Sequence, residues 1–304
     1  MLTFGEGAHL KELEHAEAPK MWKPTITQQG VVDLQPEHVW GKRGYPKELF
    51  TKLSLGLHAL KNNDLPIWFI ACSKEAQLLM RLIADYVKRA INKPGYEYVG
   101  DYGIFHINSD SKGWVPHRDN DSVRGALDSD GFPAYITAWM PLTPATTKSS
   151  CMYYIPRMHD PSYETGEAGE DYFSKVFDDP SDYQHILSLP MIPGGLVCHS
   201  ARTIHWGSKP LPPLKGRKPE YESRQAISVG VARTKFQGIP LVREGAMEYP
   251  TFLESVVFAL SHALRYNHQS PVHAPHLKCF KKIVKHNIDM FGEEGQSTLE
   301  DALS

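Results

Sequence analysis

Gly113-Trp114-Val115-Pro116-His117-Arg118-Asp119-Asn120 is the stretch on which the reading of this chain turns. An alternating run from Tyr96 to Asn108 precedes it, and a second polar cluster, His199 to Ser208, follows well behind. In extended backbone successive side chains alternate faces, so His117 and Asp119 point one way and Arg118 the other. An imidazole and a carboxylate two residues apart on a strand can grip one metal ion. With a third ligand from elsewhere, coordination positions stay open for chemistry. That is the layout of a two-histidine, one-carboxylate facial site of the kind that holds non-haem Fe(II).

Taken alone, His-x-Asp is a weak signal. With 15 histidines and 35 acidic residues in 304, chance yields about two His-x-acid pairs. The chain holds two, His117-Arg118-Asp119 and His15-Ala16-Glu17. The latter lies in a polar N-terminal run and reads as a solvated surface pair. The weight therefore rests on what surrounds His117.

A chain of this length can bury a large core. Its net charge of −2 gives no reason to expect nucleic acid or an anionic membrane as partner. No apolar run approaches a membrane span, and the N-terminus lacks a signal peptide's apolar core. Cys72, Cys151, Cys198 and Cys279 are scattered without a CxxC pair, which points to buried free thiols and a cytoplasmic protein.

Residues 1–30 are polar, with Pro19, Pro24 and Gly30 as breakers, and read as a loosely attached lead-in. Helical spacing marks Tyr45 to Leu60. Ser73 is a good N-cap for a second helix, whose apolar stripe (Leu78, Leu79, Leu82, Ile83, Tyr86, Val87) runs to about Ile91. From Tyr96 the period becomes two. Tyr96, Tyr98, Tyr102, Ile104 and His106 share one face, suited to a polar-lined cavity, and Val99, Phe105 and Ile107 share the other. Asn120 to Pro133 is a polar loop. In the next strand, Ala134 to Leu142, Tyr135, Thr137 and Trp139 oppose Ile136, Ala138, Met140 and Leu142.

A short strand at 151–156 leads into a long polar insertion, 157–185, whose length suggests a lid. Short strands follow at 186–189, 195–198 and 203–206, then a Pro/Lys-rich loop, 209–222. In the strand Arg224 to Ala232 one cation shares its face with only small residues, Ala226, Ser228, Gly230 and Ala232, as a strand lining a cavity would. Thr251 to Tyr266 reads as an apolar helix before a His-rich tail. The expected fold is mainly β with flanking helices, a jelly roll or barrel. It divides into an N-terminal extension with helices (1–95), a β core (96–233) and a C-terminal helical segment (234–304).

The order His117-x-Asp119, Ala138-Trp139-Met140-Pro141-Leu142, Cys151-Met152-Tyr153-Tyr154-Ile155-Pro156, Pro193-Gly194-Gly195, Thr203-Ile204-His205-Trp206-Gly207-Ser208 and Arg224-Gln225-Ala226-Ile227-Ser228 resembles the phytanoyl-CoA dioxygenase family. The resemblance covers roughly 96–233 and implies a double-stranded β-helix (cupin-like) enzyme that uses Fe(II), 2-oxoglutarate and O2. It implies His117, Asp119 and His205 as iron ligands and Arg224 as the partner of the distal carboxylate of 2-oxoglutarate. A buried guanidinium suits that task, because it binds a carboxylate bidentately. Trp139 and Ser208 stand where the family has further 2-oxoglutarate contacts, and Tyr102, on the tyrosine face, joins them. Departures exist. The family's His-Gly-Ser has one residue inserted here, and Arg157-Met158 replaces a small pair.

Rival readings accompany these assignments. His199 competes with His205 as third ligand, while His106 and His159 read as structural. The C-terminal histidines His262, His268, His273, His276 and His286 fit no common zinc spacing. Arg118, Arg124, Arg157 and Arg202 offer a carboxylated small molecule positive charge near the mouth, or are solvated surface charges. The expected activity is oxidation of a C–H bond of a small metabolite by a monomer or weak dimer. The alternatives are an inactive β-helix binding protein and a metal-dependent cupin-like hydrolase or isomerase.

Overall fold

The period-two runs become strands of two antiparallel sheets, and the 3.6-period runs become helices laid on one of them. The computed structural model describes residues 16–119, 126–165, 172–212, 223–233, 236, 251–267 and 272–304. In chain order the elements are α1 (Trp22–Gln29), β1 (Val31–Leu34), α2 (Pro36–Trp40), α3 (Lys47–Asn62), α4 (Lys74–Ile91), β2 (Tyr96–Ile107) and β3 (Tyr135–Pro141). Then come β4 (Met152–Tyr154), α5 (Tyr172–Val176), β5 (Leu187–Leu189), β6 (Leu196–Ser200), β7 (His205–Gly207), β8 (Arg224–Arg233), α6 (Phe252–Arg265), α7 (Ala274–His286) and α8 (Glu293–Leu303). Arg124, His268, most of the loop 209–222 and parts of the loop 120–133 and the insertion 157–185 lie outside the described residues.

The larger sheet runs β1-β6-β3-β8-β2 and the smaller β5-β4-β7. Their inner faces meet in one apolar cluster, Val31, Trp139, Val197 and Ala226 from the first against Met152, Tyr154 and Leu189 from the second. The outer face of the large sheet (Ile136, Ala138, Met140, Ile227, Val229, Val231) packs under α1, α3, α4 and α6 in the main core. A sheet covered on both sides is buried along its whole length, as β8 is. The face assignments for β3 and β8 hold.

Two helix starts follow from local chemistry. Ser73 Oγ accepts the Ala76 N–H at 3.2 Å, and Thr251 with Glu254 forms a capping box. Asn92 closes α4 in the left-handed region.

Two expectations are corrected. From residue 22 the expected lead-in, 1–30, is not loose: Trp22 and Ile26 of α1 are fully buried, and β1, just beyond it, pairs antiparallel with β6, Val31 opposite His199. After α6 come α7 and α8, both packed back on it. In β2 the two faces are divided as expected but oriented the other way. Tyr96, Tyr102 and Ile104 face the helices, and His106 lies 5.2 Å from His58 of α3. Phe105 faces the inner cluster. All four cysteines are free and three are buried, while Cys279 is exposed on α7. No helix among the described residues is long and apolar enough to cross a membrane.

Candidate metal and cosubstrate site

Between the sheets lies a cavity of about 330 Å³. Its wall begins where the quoted stretch adds a fourth row to the small sheet. The Trp114 N–H donates to the Gly207 carbonyl at 2.9 Å, and His117 and His205 exchange both backbone hydrogen bonds, at 3.0 and 2.9 Å. Directly opposed residues of an antiparallel pair present their side chains on one face. The two imidazoles are therefore neighbours by register, with ring centroids 4.4 Å apart. Gly113 permits this approach. Its φ is +76°, and a Cβ there would stand 2.7 Å from the Gly207 carbonyl oxygen.

His117, Asp119 and His205 bring one donor atom each to within 4.8 Å of one another, the one such group among the described residues that could hold a metal ion. Asp119 Oδ1 lies 3.7 Å from His117 Nε2 and 3.5 Å from His205 Nε2. Both rings turn Nδ1 to the carbonyl two residues earlier, His117 to Val115 at 2.9 Å and His205 to Thr203 at 3.0 Å. A carbonyl only accepts, so each Nδ1 carries the proton and each Nε2 keeps a lone pair for a metal. Burial, with His199 nearby, pushes His205 down to about 3, which keeps it neutral and able to ligate.

The carboxylate is held from behind. Thr137 Oγ1 donates to Asp119 Oδ2 at 2.6 Å, and His199 Nε2 lies 3.2 Å from the same oxygen. Tyr154 OH stands 3.2 Å from His199 Nδ1. The arrangement fixes one tautomer. Tyr154 donates to Nδ1, Nε2–H donates to Asp119, and Oδ1 is left facing the imidazoles. Asp119 keeps 29% of its side chain accessible. Desolvation works against its ionisation, but the imidazoles of His205, His199 and His117 outweigh it and hold the carboxyl far below the usual range. His199, considered above as a rival third ligand, thus sits on the oxygen of Asp119 turned away from the other two histidines. In the sequence Thr137 stood out only as sharing a strand face with Tyr135 and Trp139, and Tyr154 only as part of the 151–156 strand.

Arg224, the first residue of β8, forms the floor. It is 1% exposed, and its Nε and Nη2 have no hydrogen-bond acceptor. Nη1 faces Met152 Sδ at 3.8 Å, and the guanidinium lies 5.4 Å from the Trp139 ring and 5.8 Å from that of Phe105. Burial pushes its pKa down to about 10, so it remains a cation at neutral pH. An uncompensated buried cation is unfavourable by several kcal/mol. The donors present therefore fit an anionic ligand end, and the triad above fits a divalent metal.

Of the other expected contacts, Trp139 lines the cavity, with its Nε1 buried and unpartnered. Tyr102 borders it from the helix side, with its ring 3.9 Å from His262 and 5.1 Å from Phe258. Ser208 is not among the lining residues, whereas Gly207 is. The inserted residue is the reason. Alternation along β7 turns His205 and Gly207 inward, and puts Ser208 with Trp206, which stacks on Tyr153.

Of the arginines expected to face solvent or substrate, the three that are described are engaged elsewhere. Arg118, pointing away from the triad as its place in the strand requires, pairs bidentately with Asp160 at 2.6 and 2.9 Å and also donates to the Arg202 carbonyl. Arg202 binds the Tyr163 carbonyl, and Arg157 binds the carbonyls of Thr27 and Gly131. They clamp the start of the insertion, so they give no support to a carboxylated substrate. At the outer end of the cavity Asp101 accepts from Tyr135 at 2.9 Å and Tyr266 at 3.1 Å, beside His262. No sequence signal singled Asp101 out.

The comparisons agree with this geometry. The family model for phytanoyl-CoA dioxygenase matches residues 47–210. Among solved structures, the non-haem α-ketoglutarate-dependent carbocyclase SnoK from nogalamycin biosynthesis superposes with a TM-score of 0.50 at 17% identity, over 75% of this chain and 87% of that one. AviO1 from Streptomyces viridochromogenes Tue57 gives 0.50 at 14% identity, over 71% and 96%. At such identity these two show the shared fold. No curated protein matches in sequence. The family match spans more than half of the chain, and the chain belongs to the phytanoyl-CoA dioxygenase family, enzymes that use non-haem Fe(II), 2-oxoglutarate and O2.

Proposed function

We propose that this enzyme oxidises a C–H bond of a small-molecule metabolite and converts 2-oxoglutarate to succinate and CO2 as it does so. One observation carries the reading. The facial set His117, Asp119, His205 and the acceptor-free guanidinium of Arg224 open into the same cavity. A hydrolytic metal centre leaves Arg224 without a purpose.

In this reading His117 Nε2, His205 Nε2 and Asp119 Oδ1 would hold the metal at the wall of the cavity. When bound, Fe(II) with 2-oxoglutarate supplies the oxidising power, by decarboxylation of the keto acid and reduction of O2. Arg224 holds the distal carboxylate, and its charge fixes which end of the keto acid faces the metal. Phe105, Trp139 and Met152 exclude water around that ion pair and so strengthen it. Thr137 and His199 prevent Asp119 from swinging its second oxygen toward the metal. Asp119 would occupy a ligand position that a halide would otherwise need, and the choice among hydroxylation, desaturation and ring closure would depend on how the substrate is placed.

Substrate placement falls to the outer chamber. Trp68, Tyr135, Phe236 and Tyr266 give it aromatic surface, and Asp101 and Arg265 give it polar contacts. A ring-bearing small molecule fits such a wall better than a flexible chain. The test is succinate release from 2-oxoglutarate with Fe(II), O2 and pooled metabolites. Wild-type protein releases succinate in response to one pool and the Arg224→Met variant does not. No succinate from wild type with any pool sinks the oxygenase reading in favour of the hydrolytic or binding alternatives, and equal release by both proteins removes Arg224 from the site.

A further inference from the structure

Beside the triad stands a strained serine whose hydroxyl has no structural use. The loop from Thr143 to Ser150 is braced by its neighbours. Thr146 and Ser149 bond each other's backbone and side chains, and Ser149 Oγ donates to the Pro144 carbonyl at 3.1 Å. Ser150 takes no part. It is fully buried, its Oγ has no hydrogen-bond partner, and its φ is +81°. A side chain in that backbone region is unfavourable by about 1 kcal/mol or more, and glycine is what the turn alone calls for.

Its position gives the hydroxyl a meaning. Along β4 Tyr154 reaches His199 and Met152 reaches Arg224, and Ser150, just before that strand and behind the cavity wall rather than on it, turns its hydroxyl toward the position of Gly207. On the facing strand Met152 pairs with Gly207, which has no side chain. A methyl group placed there would lie 3.7 Å from Ser150 Oγ and 3.7 Å from Arg224 Nη2, ordinary contact distances. A gap of atomic size therefore separates two buried donors that lack an acceptor. One group satisfies both at once, a carboxylate oxygen.

We propose that the gap over Gly207, between Ser150 and Arg224, seats the distal carboxylate of 2-oxoglutarate, with Ser150 Oγ as a second donor. The serine assigned from the motif, Ser208, is turned to the opposite face and has no part in the seat. The inference rests on the 2-oxoglutarate reading above and adds the residue that completes it.

The test uses Mn(II)-loaded full-length protein, which binds the keto acid without turning it over, and titration calorimetry with 2-oxoglutarate and with pyruvate. Pyruvate is the same keto acid end without the distal carboxylate. Ser150→Gly removes the hydroxyl and relieves the φ strain, so its melting temperature is equal to or above wild type. Its affinity for 2-oxoglutarate falls about tenfold, as loss of one hydrogen bond to a charged group predicts. Pyruvate affinity stays unchanged, which a merely structural role would not produce. Ser208→Ala binds both as wild type does. Wild-type affinity for 2-oxoglutarate in Ser150→Gly overturns the proposal, as does a larger loss in Ser208→Ala. Failure of the wild-type protein to bind 2-oxoglutarate at all overturns the functional reading itself, and with it the seat.

Discussion

Of the arginines buried in this fold, Arg118 and Arg224 make the sharpest pair, since one is finished and the other is not. Arg118 sits behind the site with both nitrogens of its fork on Asp160 and a further bond to a carbonyl. Arg224 sits on the floor with two of its three nitrogens bonded to nothing and aromatic rings around it. The same side chain at similar burial is a clamp in the first case and a seat in the second. What separates them is whether the chain supplies the anion. A protein that folds around an unpaired guanidinium has left room for a ligand to complete it.

The largest effect sharpens that contrast from the clamp side. Arg118→Met leaves Asp160 buried and uncompensated, and it lowers unfolding free energy by about 3–5 kcal/mol in a urea titration. Arg224→Met removes a charge that had no partner, so its unfolding midpoint without ligand equals or exceeds wild type. Its 2-oxoglutarate affinity falls about 100-fold, the loss of a charge-assisted bidentate pair worth about 3 kcal/mol. If both variants lose stability alike, the distinction between clamp and seat is wrong.

Next in size is the support behind Asp119. His199→Ala deprives Oδ2 of one of its two donors, and a metal-competition assay should record a loss of about 10- to 100-fold in Mn(II) affinity. Unaltered affinity would reduce His199 to packing.

The smallest prediction concerns the outer chamber. Burial disfavours the charged form of Asp101, but the hydrogen bond from His262 and the nearby Arg265 more than offset it, and the net pKa is lowered. A carboxyl whose pKa falls on folding contributes stability that is present above its unfolded value, about 4, and is lost as pH falls through its folded value. Asp101→Asn is therefore less stable than wild type at pH 7 by about 1–2 kcal/mol, and the gap narrows progressively below pH 4. A gap that widens on acidification contradicts the sign.

Much of this architecture was legible in the sequence, for reasons that differ by element. The Ser73 cap and the stripe behind it gave α4 its bounds, because the signal is local. Alternation sorted the faces of β3 and β8, and the six motifs set the order of the triad and Arg224. Alternation says which residues share a face but not which face looks inward. In β2 both faces are apolar, so the tyrosine face was assigned to the cavity when it lies under the helices. The α1–β1 segment was missed because its anchors are only Trp22, Ile26 and three residues of a four-residue edge strand. Arg118 finds Asp160 far along the chain, and no local pattern carries such a pairing. One inserted residue was enough to turn Ser208 to the wrong face.

The most direct measurement is anaerobic titration of Fe(II)-loaded protein with 2-oxoglutarate, followed through the weak visible charge-transfer absorption of a keto acid on open-site iron. The account predicts that the band grows in wild type, is absent in His205→Ala, and needs about 100-fold more 2-oxoglutarate in Arg224→Met. Folded, iron-loaded wild-type protein that develops no band would contradict it.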